Sequence, residues 1–119
     1  MIVKFKEWTC LPIVGRYSNG RKAINLVDHI TYEPIATATV NIEHVMLTSW
    51  DHVFIKEYSE NEGMTEALIK ANIIYPLPYK EAISGFVTIT DYKLTPEAVK
   101  LWDDEPEEND PTYNLNLEQ

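Results

Sequence analysis

The chain has 119 residues, 45% apolar and 24% charged, with a formal net charge of −9; that suits one globular domain with a core of its own. A single cysteine, Cys10, excludes an internal disulfide, and no apolar run approaches the ~18 residues of a membrane-spanning helix. Seven of the nineteen acids lie in residues 103–119, where no Lys, Arg or His occurs, so the body holds twelve acids against ten Lys and Arg. Phosphate binding needs clustered positive charge, which this nearly neutral body does not offer, so no direct nucleic-acid contact is expected.

From the N-terminus, Ile2, Val3, Phe5, Trp8 and Cys10 alternate with Lys4 and Lys6 in a strand pattern. The same charges interrupt any signal-peptide core, and a cytoplasmic protein without a membrane partner is expected. Cys10 reads as a small buried residue. Asn19-Gly20 lies between two strand-like runs in Leu11 to Asp28 and predicts a two-residue hairpin turn. That turn would set Arg16 opposite Ala23 and Ile13 opposite Leu26, with Ile13, Ile24 and Leu26 on one face. Thr31-Tyr32-Glu33-Pro34 predicts a turn, residues 35–42 a strand, 44–51 a connection and 53–58 another strand.

Ser59 and Glu62 have the spacing of a capping box, opening a helix to about Ala71 that Asn72 ends. Met64, Ala67, Leu68 and Ala71 form its apolar stripe. Pro76 and Pro78 preclude a central strand, so residues 73–81 are expected to be a surface loop that presents Tyr75, Leu77 and Tyr79. Residues 83–94 predict one strand, with Val87, Ile89 and Asp91 on one face. Thr95 caps a second helix with Pro96 at its first position, and Trp102 closes its apolar side.

Residues 1–102 thus form a single α+β domain, a mainly antiparallel sheet of five to six strands with two helices, the first packed on a sheet face. Residues 103–119 form an acidic C-terminal tail. Its 103–111 part is an irregular linker. Tyr113, Leu115 and Leu117 alternate with Asn114 and Asn116 as a strand able to dock on a sheet edge or a partner; the competing reading is a wholly disordered tail.

The sequence carries no catalytic, metal-ligating or cofactor motif. His29, His44 and His52 have no ligand spacing, and the four isolated glycines make no phosphate loop. Glu57, Glu60, Glu62 and Glu66 crowd the first helix start. They read either as caps that complement the helix dipole or as a cation or acid–base site of a small-ligand enzyme.

The segment Val53-Phe54-Ile55-Lys56-Glu57-Tyr58-Ser59-Glu60-Asn61-Glu62-Gly63-Met64-Thr65-Glu66-Ala67-Leu68-Ile69 resembles a family of small uncharacterised bacterial proteins, also carried on mobile elements, whose signature is a strand followed by YSENEGM and a helix. Residues 33–41 and 84–87 are similar to it as well. The resemblance implies no activity and transfers no functional residue. These readings together lead to a non-enzymatic interaction protein, an accessory of a mobile element, with another protein as partner through Tyr75, Leu77, Tyr79, Tyr113, Leu115 and Leu117. The alternatives are the glutamate-based enzyme and an acidic DNA mimic.

Overall fold

A computed structural model describes residues 1–104. Its strands are β1 (Val3–Phe5), β2 (Trp8–Arg16), β3 (Lys22–Asp28), β4 (Pro34–Thr37), β5 (Thr39–Val40), β6 (His52–Ile55), β7 (Ile74–Ser84) and β8 (Val87–Leu94). The helices are α1 (Met64–Lys70) and α2 (Pro96–Val99), with 3₁₀ turns at Ser59–Asn61 and Lys100–Asp104. The fold is α+β with antiparallel pairing throughout, but the expected single sheet is two sheets of four strands, ordered β1-β2-β3-β4 and β5-β6-β8-β7.

The division falls at Ala38, which splits the predicted 35–42 strand. Its N–H donates to Ile24 O in the first sheet (2.9 Å), and its carbonyl accepts from Lys56 N beside the second (2.9 Å). Thr39 supports the corner: its Oγ1 accepts from Ile24 N (3.2 Å) and lies 2.8 Å from Tyr17 Oη.

Three further expectations are corrected. The run 2–10 is not one strand; it turns at Lys6 (φ 54°) so that Phe5 pairs with Trp8. The Asn19-Gly20 turn is one residue longer than predicted. Gly20 N–H donates to Tyr17 O (2.8 Å) and Tyr17 N–H to Arg21 O (2.9 Å), with Gly20 left-handed at φ 89°. A type I turn followed by a left-handed residue gives this three-residue loop. Arg16 therefore pairs with Lys22 and Ile13 with Asn25. A one-residue slip exchanges the faces: Ile24 and Leu26 are buried, and Ile13 points outward, 48% exposed. The third correction lies in 73–94. The expected proline loop is most of β7, and the expected single strand 83–94 is a hairpin that turns at Gly85 (φ 64°) and Phe86. Pro76 and Pro78 are tolerated because β7 is an edge strand with register shifts on both sides of Pro78.

The helix ends combine one revision with two agreements. Ser59 is not an N-cap; it opens the 3₁₀ turn at φ 57°, and α1 starts after a left-handed Gly63. Asn72 does end the helix at φ 62°, with Ile73 N–H donating to Leu68 O and Asn72 N–H to Ile69 O, the paired bonds of a Schellman motif. Thr95 Oγ1 accepts from Ala98 N (3.1 Å), with Pro96 at the first helical position.

The main core lies among the two sheets and both helices and includes Val3, Phe5, Ile24, Val53, Leu68 and Trp102. Burying a side chain such as Leu68 stabilises the fold by roughly 1.5–3 kcal/mol. Cys10 is part of this core. Burial, and then the nearby Asp28 charge, push its thiol above the ordinary range, so it stays protonated and unreactive. A smaller cluster on the other face of the second sheet gathers Phe54, Ala82 and Ile89 under Ile42, Val45 and Leu47 of the β5–β6 connection. No helix among the described residues is long and apolar enough to cross a membrane.

Candidate functional site

The β7–β8 hairpin carries the sequence-predicted contact residues. Tyr75, Leu77 and Tyr79 are all exposed, Leu77 at 63%, and Phe86 at the tip is fully exposed. His52 is the register partner of Lys93, so the two share a face. Tyr79 packs edge-on against the His52 ring, with centroids 4.4 Å apart, and Lys93 Nζ stands 5.9 Å from the Tyr75 centroid. Both tyrosines therefore belong to that face. Past the register shift the strand reverses: Ala82 turns inward opposite Ile89, while Ile83 turns outward opposite Thr88, 74% exposed. The hairpin is thus apolar on both faces. Its backbone edge is blunted, because Pro76 and Pro78 have no N–H to offer a further strand. Tyr113, Leu115 and Leu117 lie outside the described residues.

The glutamates do not converge on a shared centre. Glu57, Glu60, Glu62 and Glu66 are all exposed. Glu57 instead replaces the missing cap: Oε2 accepts from Gly63 N and Oε1 from Thr65 N, both at 2.8 Å. Partial burial pushes its carboxyl up, but the hydrogen bonds from Gly63 and Thr65 more than reverse this and hold it below its ordinary value. Glu60 pairs with Lys56 and Glu66 with Lys70. Among the described residues no three His, Cys, Asp or Glu side chains are grouped to hold a metal.

The structure also shows a buried polar network that spacing did not reveal. Asp91 is fully buried and His52 nearly so. Asp91 Oδ1 lies 2.9 Å from His52 Nδ1, and Oδ2 accepts from Thr48 Oγ1 (2.8 Å) and Thr48 N (3.4 Å). With the carboxylate accepting at Nδ1, the neutral ring carries its proton there. No buried side-chain polar atom among the described residues is left without a partner. The sequence signal was Asp91 itself, an acid on the apolar face it shares with Val87 and Ile89; such a group needs a buried partner. The network fastens the β5–β6 connection to the sheet and sets the ring on which Tyr79 rests.

Arg21 fastens the same connection from the hairpin side, donating from Nη1 to Ile42 O (2.8 Å) and from Nη2 to Val45 O (2.5 Å). Lys22 Nζ donates to Trp50 O (3.1 Å) and lies 3.9 Å from Asp51. The buried Asn61 joins the YSENEGM segment to the Ala38 corner through Thr37 O (2.6 Å) and Lys56 O (3.0 Å). Comparison with family models, curated proteins and solved structures finds no match to this chain.

Proposed function

We propose that the protein is a non-enzymatic interaction protein whose contact surface is the β7–β8 hairpin. One observation carries this reading: Tyr75, Leu77, Tyr79, Ile83 and Phe86 stand exposed on a single hairpin. At about 200 Å² for a large side chain, they offer roughly 650 Å² of apolar surface spread over both faces of the hairpin, which approaches the ~800 Å² per partner of a standard interface only if the partner clasps the hairpin. The prolines and register shifts oppose backbone pairing along this edge, so the partner engages side chains through an apolar groove of its own rather than by adding a strand. The resemblance of residues 53–69 supports placing the interaction among the accessory proteins of a mobile element.

The test is an affinity capture from native cells with the wild-type protein and the L77S/F86S double variant. Both substitutions lie on exposed positions, so the stability of the double variant stays within about 1 kcal/mol of wild type. A partner retained by wild type and lost from the equally stable variant supports the reading. Equal capture by both proteins, or turnover in a broad substrate screen without a specific partner, rejects it.

A further inference from the structure

The tip of the β2–β3 hairpin and the β5–β6 connection enclose a cleft of about 290 Å³ lined by Arg21, Met46, Leu47, Thr48, Ser49 and Trp50. Its walls are apolar and unusually exposed, with Met46 at 76% and Trp50 at 61%. Its floor is fixed. Gly20 lies against the indole, where an added Cβ would meet the ring at 3.6 Å. Lys22 holds the Trp50 carbonyl and Asp91 holds Thr48. The loop is therefore built around the cleft rather than draped over it.

Among the described residues, Arg21 is the one charged side chain that lines the cleft. Arg21 spends two of its five N–H donors on Ile42 O and Val45 O, which lock the guanidinium in place. Among the described residues no carboxylate pairs with it. Asp51 and Asp91 do not line the cleft; Asp51 lies 3.9 Å from Lys22 and Asp91 2.9 Å from His52. Ser49 Oγ accepts from Asp51 N (3.3 Å) and keeps its own proton to donate.

We propose that this cleft binds a small aromatic carboxylate. Its ring stacks on Trp50 beside Met46, and its carboxylate takes the remaining N–H groups of Arg21 and the Ser49 hydroxyl. A planar guanidinium and a planar carboxylate match in a charge-assisted pair, and an indole face offers stacking at low entropic cost. The volume is at the lower end of the ~300–1,000 Å³ of small-molecule sites, which selects one- or two-ring acids.

The experiment follows backbone amide shifts of the full chain during titration with 2-naphthoate and with its neutral isostere 2-naphthamide. Saturable shifts confined to residues 20–22 and 45–50 are expected, with the acid binding about tenfold tighter than the amide. R21Q abolishes that preference. Because Arg21 also ties the loop, W50L serves as the second variant: it keeps both guanidinium bonds and weakens acid and amide alike. Equal binding of acid and amide by the wild-type protein, shifts centred elsewhere, or no saturation by about 10 mM, a free energy weaker than about 3 kcal/mol, overturns the proposal.

Discussion

Asp91 is the residue whose replacement most sharply tests how the second sheet is held. Replacing it with leucine removes the acceptor for His52 Nδ1 and for the Thr48 hydroxyl and amide. A buried donor left without a partner costs about 1–3 kcal/mol, so D91L is expected to lose about 3–4 kcal/mol, in the range for breaking a buried pair. Asparagine behaves differently. Its carbonyl oxygen still accepts from Thr48, and its amide N–H donates to His52 Nδ1 once the ring proton moves to Nε2. D91N is then expected to cost only about 1 kcal/mol and to change the His52 tautomer. Urea unfolding measures both losses at constant slope, and ¹⁵N shifts of the His52 ring identify the tautomer. Equal losses for the two variants would refute the reasoning, as would a D91N protein of near-wild-type stability whose ring proton stays on Nδ1.

Two further predictions concern the helices. E57Q should lower stability by about 1 kcal/mol at neutral pH, as loss of a helix cap does. The wild-type carboxyl is held below its ordinary value, so its contribution is complete above the ordinary carboxylate range and is lost as pH falls through the lower folded value. Thermal melts of wild type and E57Q should therefore converge on acidification; a gap that is constant from pH 7 to pH 3 contradicts the capping role. W102F keeps the ring in the main core but removes the bond from Nε1 to Gly15 O (2.8 Å). About 1 kcal/mol should be lost in denaturant unfolding, and an unchanged midpoint would show that the bond adds nothing.

Local signals were legible. Asn72 and Thr95-Pro96 ended and began helices as expected because the necessary chemistry lies within a few residues of each end. The apolar alternation in residues 87–92 placed Ile89 and Asp91 on one face correctly. What misled were signals open to two geometries. Asn19-Gly20 serves a two- or a three-residue loop, and only the hydrogen bond from Tyr17 to Arg21 decides which. Alternating Ala and Thr through 36–40 reads as one strand, since nothing local marks Ala38 as the point where pairing changes sheets. Glu57 caps a helix from six residues before Gly63, outside the spacing of a capping box. Of the candidate surface, Tyr75, Leu77 and Tyr79 were legible as exposed; that Ile83 and Phe86 join them required knowing where the hairpin turns. The His52–Asp91 pair spans 39 residues, a separation across which periodicity carries no information.

The corner at Ala38 also governs how the molecule comes apart. Its amide belongs to the ladder of one sheet and its carbonyl to the border of the other, and its side chain is buried in the core that both share. Neither sheet can peel away without surrendering a bond that also fixes its neighbour. Opening at the β7–β8 tip and the exposed turns breaks neither of these bonds, so it is expected to cost less than separating the two sheets. The expected consequence is that the amides of Ala38 and Lys56 exchange with solvent more slowly than those of the exposed turns.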